Sequence, residues 1–294
     1  RESDTHTFPE LRNLQSSEMQ VYFTDAKQIH TTSNHYDRAL NEVRSYASSL
    51  RSELQKLNRN IDVTNTGLFE GNFDDGLLVD ALIGAKNVYS ETFKVTNQGV
   101  CVGLLGDESG SMDYKNAWFL WMQIAVMFER ALEGVNKIDF FCYGHTTGFD
   151  PLMRADTTLI NTYFEGRKKG DRKNLGKIYH HNTNRDGHAI VETVARIKKQ
   201  IAKDMPLVLF VISDGEPSAS VPHGYTQRAY VKKVVDTIER DMNTTIIHIA
   251  IHPNIPSKEM FNNYVSFTNF STLVKDVGNL LKKIVTARQS PITV

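Results

Sequence analysis

The run Val100-Cys101-Val102-Gly103-Leu104-Leu105 leads, one residue later, into Asp107-Glu108-Ser109-Gly110-Ser111. The first stretch is apolar at successive positions, so it reads as a strand buried on both faces. Strands of that kind belong to parallel sheets covered by helices. Three more follow the same pattern: Ile138 to Tyr143, Pro206 to Ile212 and Thr244 to Ile251. Between and after them, amphipathic periodicity predicts helices over Lys115 to Leu132, His188 to Ala202, Gln227 to Asp241 and Ser271 to Thr286. The alternation predicts an α/β fold with a doubly wound, mostly parallel sheet.

Upstream of residue 99 the chain is more polar and helix-rich. Leu40, Val43, Ala47, Leu50, Leu54 and Leu57 recur at spacings of three and four, which predicts a helix from Tyr36 to Asn60 with a narrow apolar seam. Residues 61 to 73 lose that periodicity. Asp74-Asp75-Gly76 then reads as a cap before a second helix, Leu77 to Ile83. The expected division is a helical amino-terminal extension, 1–98, and an α/β domain, 99–290. Trp118-Phe119-Leu120-Trp121 sits on a helix apolar nearly all round, so the extension is expected to cover it.

Composition narrows the classes of function. The chain has 294 residues, 34 Lys+Arg and 34 Asp+Glu, and this neutrality argues against electrostatic capture of nucleic acid. Two cysteines cannot build a disulfide framework; Cys101 and Cys142 are expected as buried free thiols in a reducing compartment. The dense apolar run from Ala117 to Phe128 is too short to span a bilayer. A soluble, cytoplasmic protein is expected, including the cytoplasm of an infected bacterial host or a virion. The first residue, Arg1, suggests a processed product or part of a longer polypeptide.

The chemistry falls at strand ends. Asp107, Ser109 and Ser111 follow the first core strand; Ser213-Asp214-Gly215 follows the third; Asn182 to Gly187 opens a helix between them. In an open α/β sheet such loops form the ligand crevice. Hydroxyls and a few carboxylates are hard oxygen donors suited to Mg²⁺, or to Mn²⁺. Gly110 is expected to allow a tight turn that points both serines at one place. No nucleophile–base pair and no glycine-rich phosphate loop accompanies them, so the chain is not expected to be catalytic alone. His180-His181 with His188 lacks the matching ligands of a zinc site.

This order of loops resembles the von Willebrand factor A domain, whose metal-ion-dependent adhesion site uses D-x-S-x-S, a Thr from a second loop and an Asp from a third. The resemblance implies that Asp107, Ser109, Ser111 and Asp214 hold the ion. The second loop departs from the pattern: Asn184 stands nearest the Thr position, with Thr183 and Asp186 as alternatives. Leu68 to Gly76, Arg172 to Gly176, Asn184 to Ala189 and Ile212 to Pro217 also resemble the carboxyl-terminal half of cobaltochelatase T-type subunits, over roughly Asp37 to Ala287. Glu108 stands where those subunits usually have Asn.

The resemblance implies a metal-dependent adhesion module whose open metal position takes a carboxylate from a partner: an AAA+ ATPase ring or the protein it remodels. Relatives of that pair occur in bacteriophage genomes. Two alternatives are a non-ATPase subunit of a cobaltochelatase, inserting cobalt for cobalamin synthesis, and a virion structural or assembly protein. Glu108 and Glu216 are expected to make the metal rim acidic. Arg167, Lys168, Arg172 and Lys173, in a basic run reaching Lys177, are expected either as a solvated loop or as a docking surface for an acidic partner.

Overall fold

The computed structural model describes residues 4, 7–14, 20–25, 29, 34–57, 61–95, 99–148, 157–166, 171–215, 217–252 and 255–287. By contact the chain forms two compact units: Arg1–Leu57 together with Gly99–Val294, and Asn58–Gln98. The first part of the larger unit carries α1 (Pro9–Arg12), β1 (Gln20–Asp25) and α2 (Tyr36–Leu57). The smaller unit carries β2 (Ile61–Leu68), β3 (Asn72–Phe73), α3 (Leu78–Leu82) and β4 (Tyr89–Val95). Then come β5 (Val100–Asp107), α4 (Ala117–Leu132), β6 (Ile138–Thr147), β7 (Thr157–Glu165), α5 (Asp186–Lys198) and β8 (Leu207–Ser213). The chain continues through α6 (Gln227–Asp241), β9 (Thr244–Ala250), α7 (Ser257–Met260), β10 (Asn263–Ser266) and α8 (Phe270–Ala287).

Seven strands form the main sheet in the order β1-β7-β6-β5-β8-β9-β10. All neighbouring pairs are parallel except β6 with β7, so β7 and its parallel neighbour β1 run against the rest. Central β5 has β6 on one side and β8 on the other. The chain first winds outward through β6 and β7, then crosses back to β8, which opens a crevice at the carboxyl ends of β5 and β8.

Alternating side chains of each strand feed two cores. Val102, Leu104, Phe210 and Ile247 pack with α2, α4 and α8; Cys101, Leu105, Leu209 and Ile246 pack with α5 and α6. Both cysteines are buried and free.

Helix α2 has the predicted seam: Val43, Ala47, Leu50 and Leu54 are buried against the core that contains Trp121, Met122 and Phe128 of α4. The expected cover over α4 is therefore present. Arg51 ties the pair further, with Nε donating to the Ala131 carbonyl at 3.1 Å.

Sequence reading missed several strands. β1, β2, β3 and β4 arise in the part expected to be helical, and β2 occupies the stretch without helical periodicity. β7 is not among the four expected strands because its buried positions include Thr158 and Asn161, whose polar groups find partners inside the fold. Helix α4 begins at Ala117, two residues later than expected, because Lys115 and Asn116 have left-handed backbone (φ 52° and 56°). Asp74 caps the turn before α3 as expected, accepting the Gly76 N–H at 3.0 Å.

Among the described residues no helix is long and apolar enough to cross a membrane.

Two stability predictions follow from this packing. Leu50→Ala removes a fully buried side chain from the α2–α4 seam and should lower urea-unfolding stability by about 2–5 kcal/mol. His248 lies between the Ser213 and Ser257 hydroxyls, both at 2.9 Å, and burial lowers its pKa to about 3. Its neutral form is favoured in the fold, so its contribution is present above pH 6.5 and is lost as pH falls toward 3, with a slope approaching about 1.4 kcal/mol per pH unit. His248→Gln should show a shallower decline between pH 6.5 and 4; an unchanged slope would contradict this.

Candidate metal centre

The site is built where β5 ends. Extended backbone sends successive side chains to opposite faces, so Asp107 enters the α5 side and Glu108 the α4 side. Asp107 is wholly buried. Its Oδ1 accepts the Ser109 N–H at 2.7 Å, and its Oδ2 accepts an Asn184 Nδ2 hydrogen at 2.9 Å.

From that anchor a line of oxygens runs outward. Ser109 Oγ and Ser111 Oγ are 2.9 Å apart, and Ser111 Oγ donates to Asp214 Oδ1 at 2.9 Å. Ser109 is buried, Ser111 exposed and Asp214 half-buried, so the line leads from the core to solvent. Gly110 serves this turn by close approach: its N–H donates to the Asn182 carbonyl at 2.7 Å, and an added Cβ would lie 3.3 Å from that oxygen. The turn brings the two serine hydroxyls together as expected, without a left-handed φ at Gly110.

Of the second-loop alternatives, Asn184 and Asp186 reach the site and Thr183 does not. Thr183 Oγ1 pairs with Thr147 Oγ1 at 2.6 Å. Asn184 acts as a brace: while its amide donates to Asp107, its Oδ1 accepts both the N–H and the hydroxyl of Ser218 at 2.9 Å. Asp186, the first residue of α5, is buried, and its Oδ1 has no hydrogen-bond partner. His145 Nε2 lies 3.6 Å from that atom. Burial lowers the His145 pKa to about 3, so the imidazole is neutral and offers no counter-charge.

Three carboxyl groups thus share one end of the sheet. Burial, then the Asp214 charge, pushes the Asp107 pKa up to about 7. Burial and the charges of Asp107 and Asp214 hold Asp186 far above the usual carboxylate range, and burial also raises Asp214. A dication would suit this arrangement, because it would favour the charged forms of the neighbouring carboxyl groups. Among the described residues no three His, Cys, Asp or Glu side chains converge as a metal cage. The donor set here depends instead on the two serine hydroxyls.

Glu108 does not reach the rim. It is 1% exposed; its Oε1 accepts the Tyr163 hydroxyl and its Oε2 accepts from Asn161 Nδ2, each at 2.6 Å. Burial pushes its pKa up to about 8. Gly144 makes room for it, since a Cβ there would stand 2.0 Å from Glu108 Oε1. The expectation of an acidic rim residue fails at this position because strand alternation turns the side chain inward. Glu216, Arg167 and Lys168 lie outside the described residues.

Within the described part of the basic run, Arg172 bridges Glu129 of α4, at 3.3 Å, and Glu133 just beyond that helix, and Lys173 Nζ lies 3.8 Å from Asp37. His188 turns away from His180 and His181, its Nδ1 sharing a hydrogen bond with Thr158 Oγ1 at 2.7 Å.

No protein-family profile matches the chain, and no curated protein matches it. Solved structures do. The chain is similar to manganese-loaded TRAP protein of Plasmodium vivax: 14% identity, 64% of this chain and 75% of that one covered, TM-score 0.46. It is similar to the vWF domain of the type V pili tip protein Mfa5 from Porphyromonas gingivalis: 7% identity, 68% and 99% covered, TM-score 0.46. It is also similar to the ArnB paralog VWA2 of Sulfolobus acidocaldarius: 16% identity, 63% and 47% covered, TM-score 0.39. Similarity at this level assigns neither a ligand nor an activity to the chain.

The inward placement of Glu108 makes a direct prediction. Glu108→Ala leaves the Tyr163 hydroxyl and the Asn161 amide without a buried acceptor, at a cost of about 2 kcal/mol or more in urea unfolding. A solvated rim residue would change stability by less than about 0.5 kcal/mol.

Proposed function

We propose that this chain is a von Willebrand factor A-type module that binds Mg²⁺ or Mn²⁺ and, through it, a carboxylate of a protein partner. One observation carries the reading: the oxygens of Ser109, Ser111 and Asp214, from two separate loops, form a continuous hydrogen-bonded line that ends at solvent and is anchored on buried Asp107. Ser109, Ser111 and Asp214 would hold the ion, with Asp107 directly or through water. Asp186 would contribute its unpartnered oxygen to the same charge balance. When bound, the ion supplies positive charge at the mouth of the crevice and a position for one further oxygen ligand.

The protein's own contribution is positional. Asn184, fixed by Ser218, holds Asp107 in place. Exposed Ser111 and half-buried Asp214 present the outer end of the line. Burial makes the Asp107, Asp186 and Asp214 carboxyl groups hold protons more tightly than usual; the ion would displace those protons and supply the positive charge an acidic partner needs, so binding should require the dication.

The partner proposed is an AAA+ ATPase ring or the protein such a ring remodels. That part rests on the sequence resemblance to cobaltochelatase T-type subunits at Arg172 to Gly176, Asn184 to Ala189 and Ile212 to Pro217. The role is adhesion without turnover by this chain alone.

Calorimetry with Mg²⁺ and Mn²⁺ tests the site: Asp107→Ala and Ser109→Ala should each weaken binding at least about tenfold, and full affinity in Asp107→Ala would refute the assignment. A pull-down of the ATPase from the native host tests the adhesion step. It should be lost in EDTA and restored by excess Mg²⁺, and binding that survives EDTA unchanged would refute a metal-mediated contact.

A further inference from the structure

The smaller unit exposes a concentration of large apolar side chains. Phe69 is 74% exposed, Leu78 52%, Val79 71%, Leu82 79% and Ile83 79%, all within one stretch that includes α3. Scattered single apolar residues on a surface need no explanation, whereas a contiguous set points to an interaction. The unit gives a second reason. It pairs three strands in the order β2-β4-β3, and among its described side chains only Val88 is buried. A three-stranded sheet needs an apolar face covered to be stable. Here α3 turns its leucines and valine outward.

Charge selects the occupant. From Phe69 to Ile83 the chain carries Glu70, Asp74, Asp75 and Asp80 and no Lys or Arg; the first cation beyond is Lys86. Glu70, Asp75 and Asp80 are exposed. A second copy of the same face would set acid against acid, and an anionic lipid surface would be repelled. A partner with apolar residues flanked by Lys and Arg meets both features.

We propose that the Phe69–Ile83 face docks a basic amphipathic helix of a partner protein. The apolar side of that helix covers Leu78, Val79, Leu82 and Ile83, and its cations face Glu70, Asp75 and Asp80. The proposed contact uses no residue of the metal centre.

Fluorescence anisotropy on the full chain tests the proposal with two labelled probes: an amphipathic Leu/Lys helical peptide and its Leu/Glu counterpart with the same apolar residues. The Leu/Lys peptide should bind at least about tenfold more tightly and weaken as salt is raised. Leu82→Asp with Ile83→Asp should abolish its binding while circular dichroism stays unchanged. EDTA and Asp107→Ala should leave it intact, which separates this result from failure of the metal site. Three outcomes would overturn the proposal: no binding of the Leu/Lys peptide, equal binding of both peptides, or self-association or vesicle binding that the Leu82→Asp, Ile83→Asp variant removes.

Discussion

Two buried carboxyl groups stand side by side at the end of the central strand, and the organisation of this end of the molecule follows from keeping them there. Asp107 and Glu108 face opposite sides of the sheet, and each needs its own set of donors in a place without water. On one side the Ser109 N–H and the Asn184 amide serve Asp107; on the other, Tyr163 and Asn161 serve Glu108. Apart from the Ser109 N–H, those donors come from α5's leading loop and from β7. Each of those elements is thereby fixed to the end of β5 by polar contacts as well as by the apolar layers beneath. Glycine at 144 is the matching sacrifice of a side chain, made so that a glutamate can lie across the neighbouring strand.

This arrangement gives the two carboxyl groups different work. Glu108 is satisfied and enclosed, which makes it part of the framework. Asp107 is satisfied but stands near two further carboxyl groups, Asp186 with an unpartnered oxygen and Asp214 toward the mouth, and burial raises the pKa of all three. An unpartnered carboxyl oxygen in one direction and complete satisfaction in the other is how a single strand end can be both support and candidate site. The neutral His145 behind Asp186 offers it no counter-charge.

Much of this was legible in the sequence, and what was not has physical causes. The apolar runs at Val100, Ile138, Pro206 and Thr244 all became sheet strands, because continuous apolar strands have few alternatives once helices separate them. Helix α2 was legible for the same reason, through its seam. β7 was hidden by buried threonine and asparagine, whose partners are remote in sequence. The first 98 residues concealed four strands, one of which, β1, joins the main sheet. Loop order and resemblance pointed to Asp107, Ser109, Ser111, Asn184, Asp186 and Asp214, and the structure places them at one end of the sheet. Ser218 and His145 were missed. Ser218 matters only through Asn184, and the predicted second strand stopped at Tyr143, short of the position where His145 comes into register with Asp107. Glu108 was misplaced because the residues at its position looked like a loop, where side-chain direction cannot be counted from alternation; the structure continues the strand through Asp107.

The central claim is that the oxygen line from Asp107 to Asp214 is a divalent-metal site. Anomalous diffraction from crystals of the full chain soaked in Mn²⁺ tests it most directly. The account predicts one strong manganese peak at the carboxyl end of β5, bounded by Ser109 Oγ, Ser111 Oγ and the Asp214 carboxylate, and absent in Asp107→Ala crystals. A peak elsewhere with none at this position, or a peak that persists in Asp107→Ala, would contradict it.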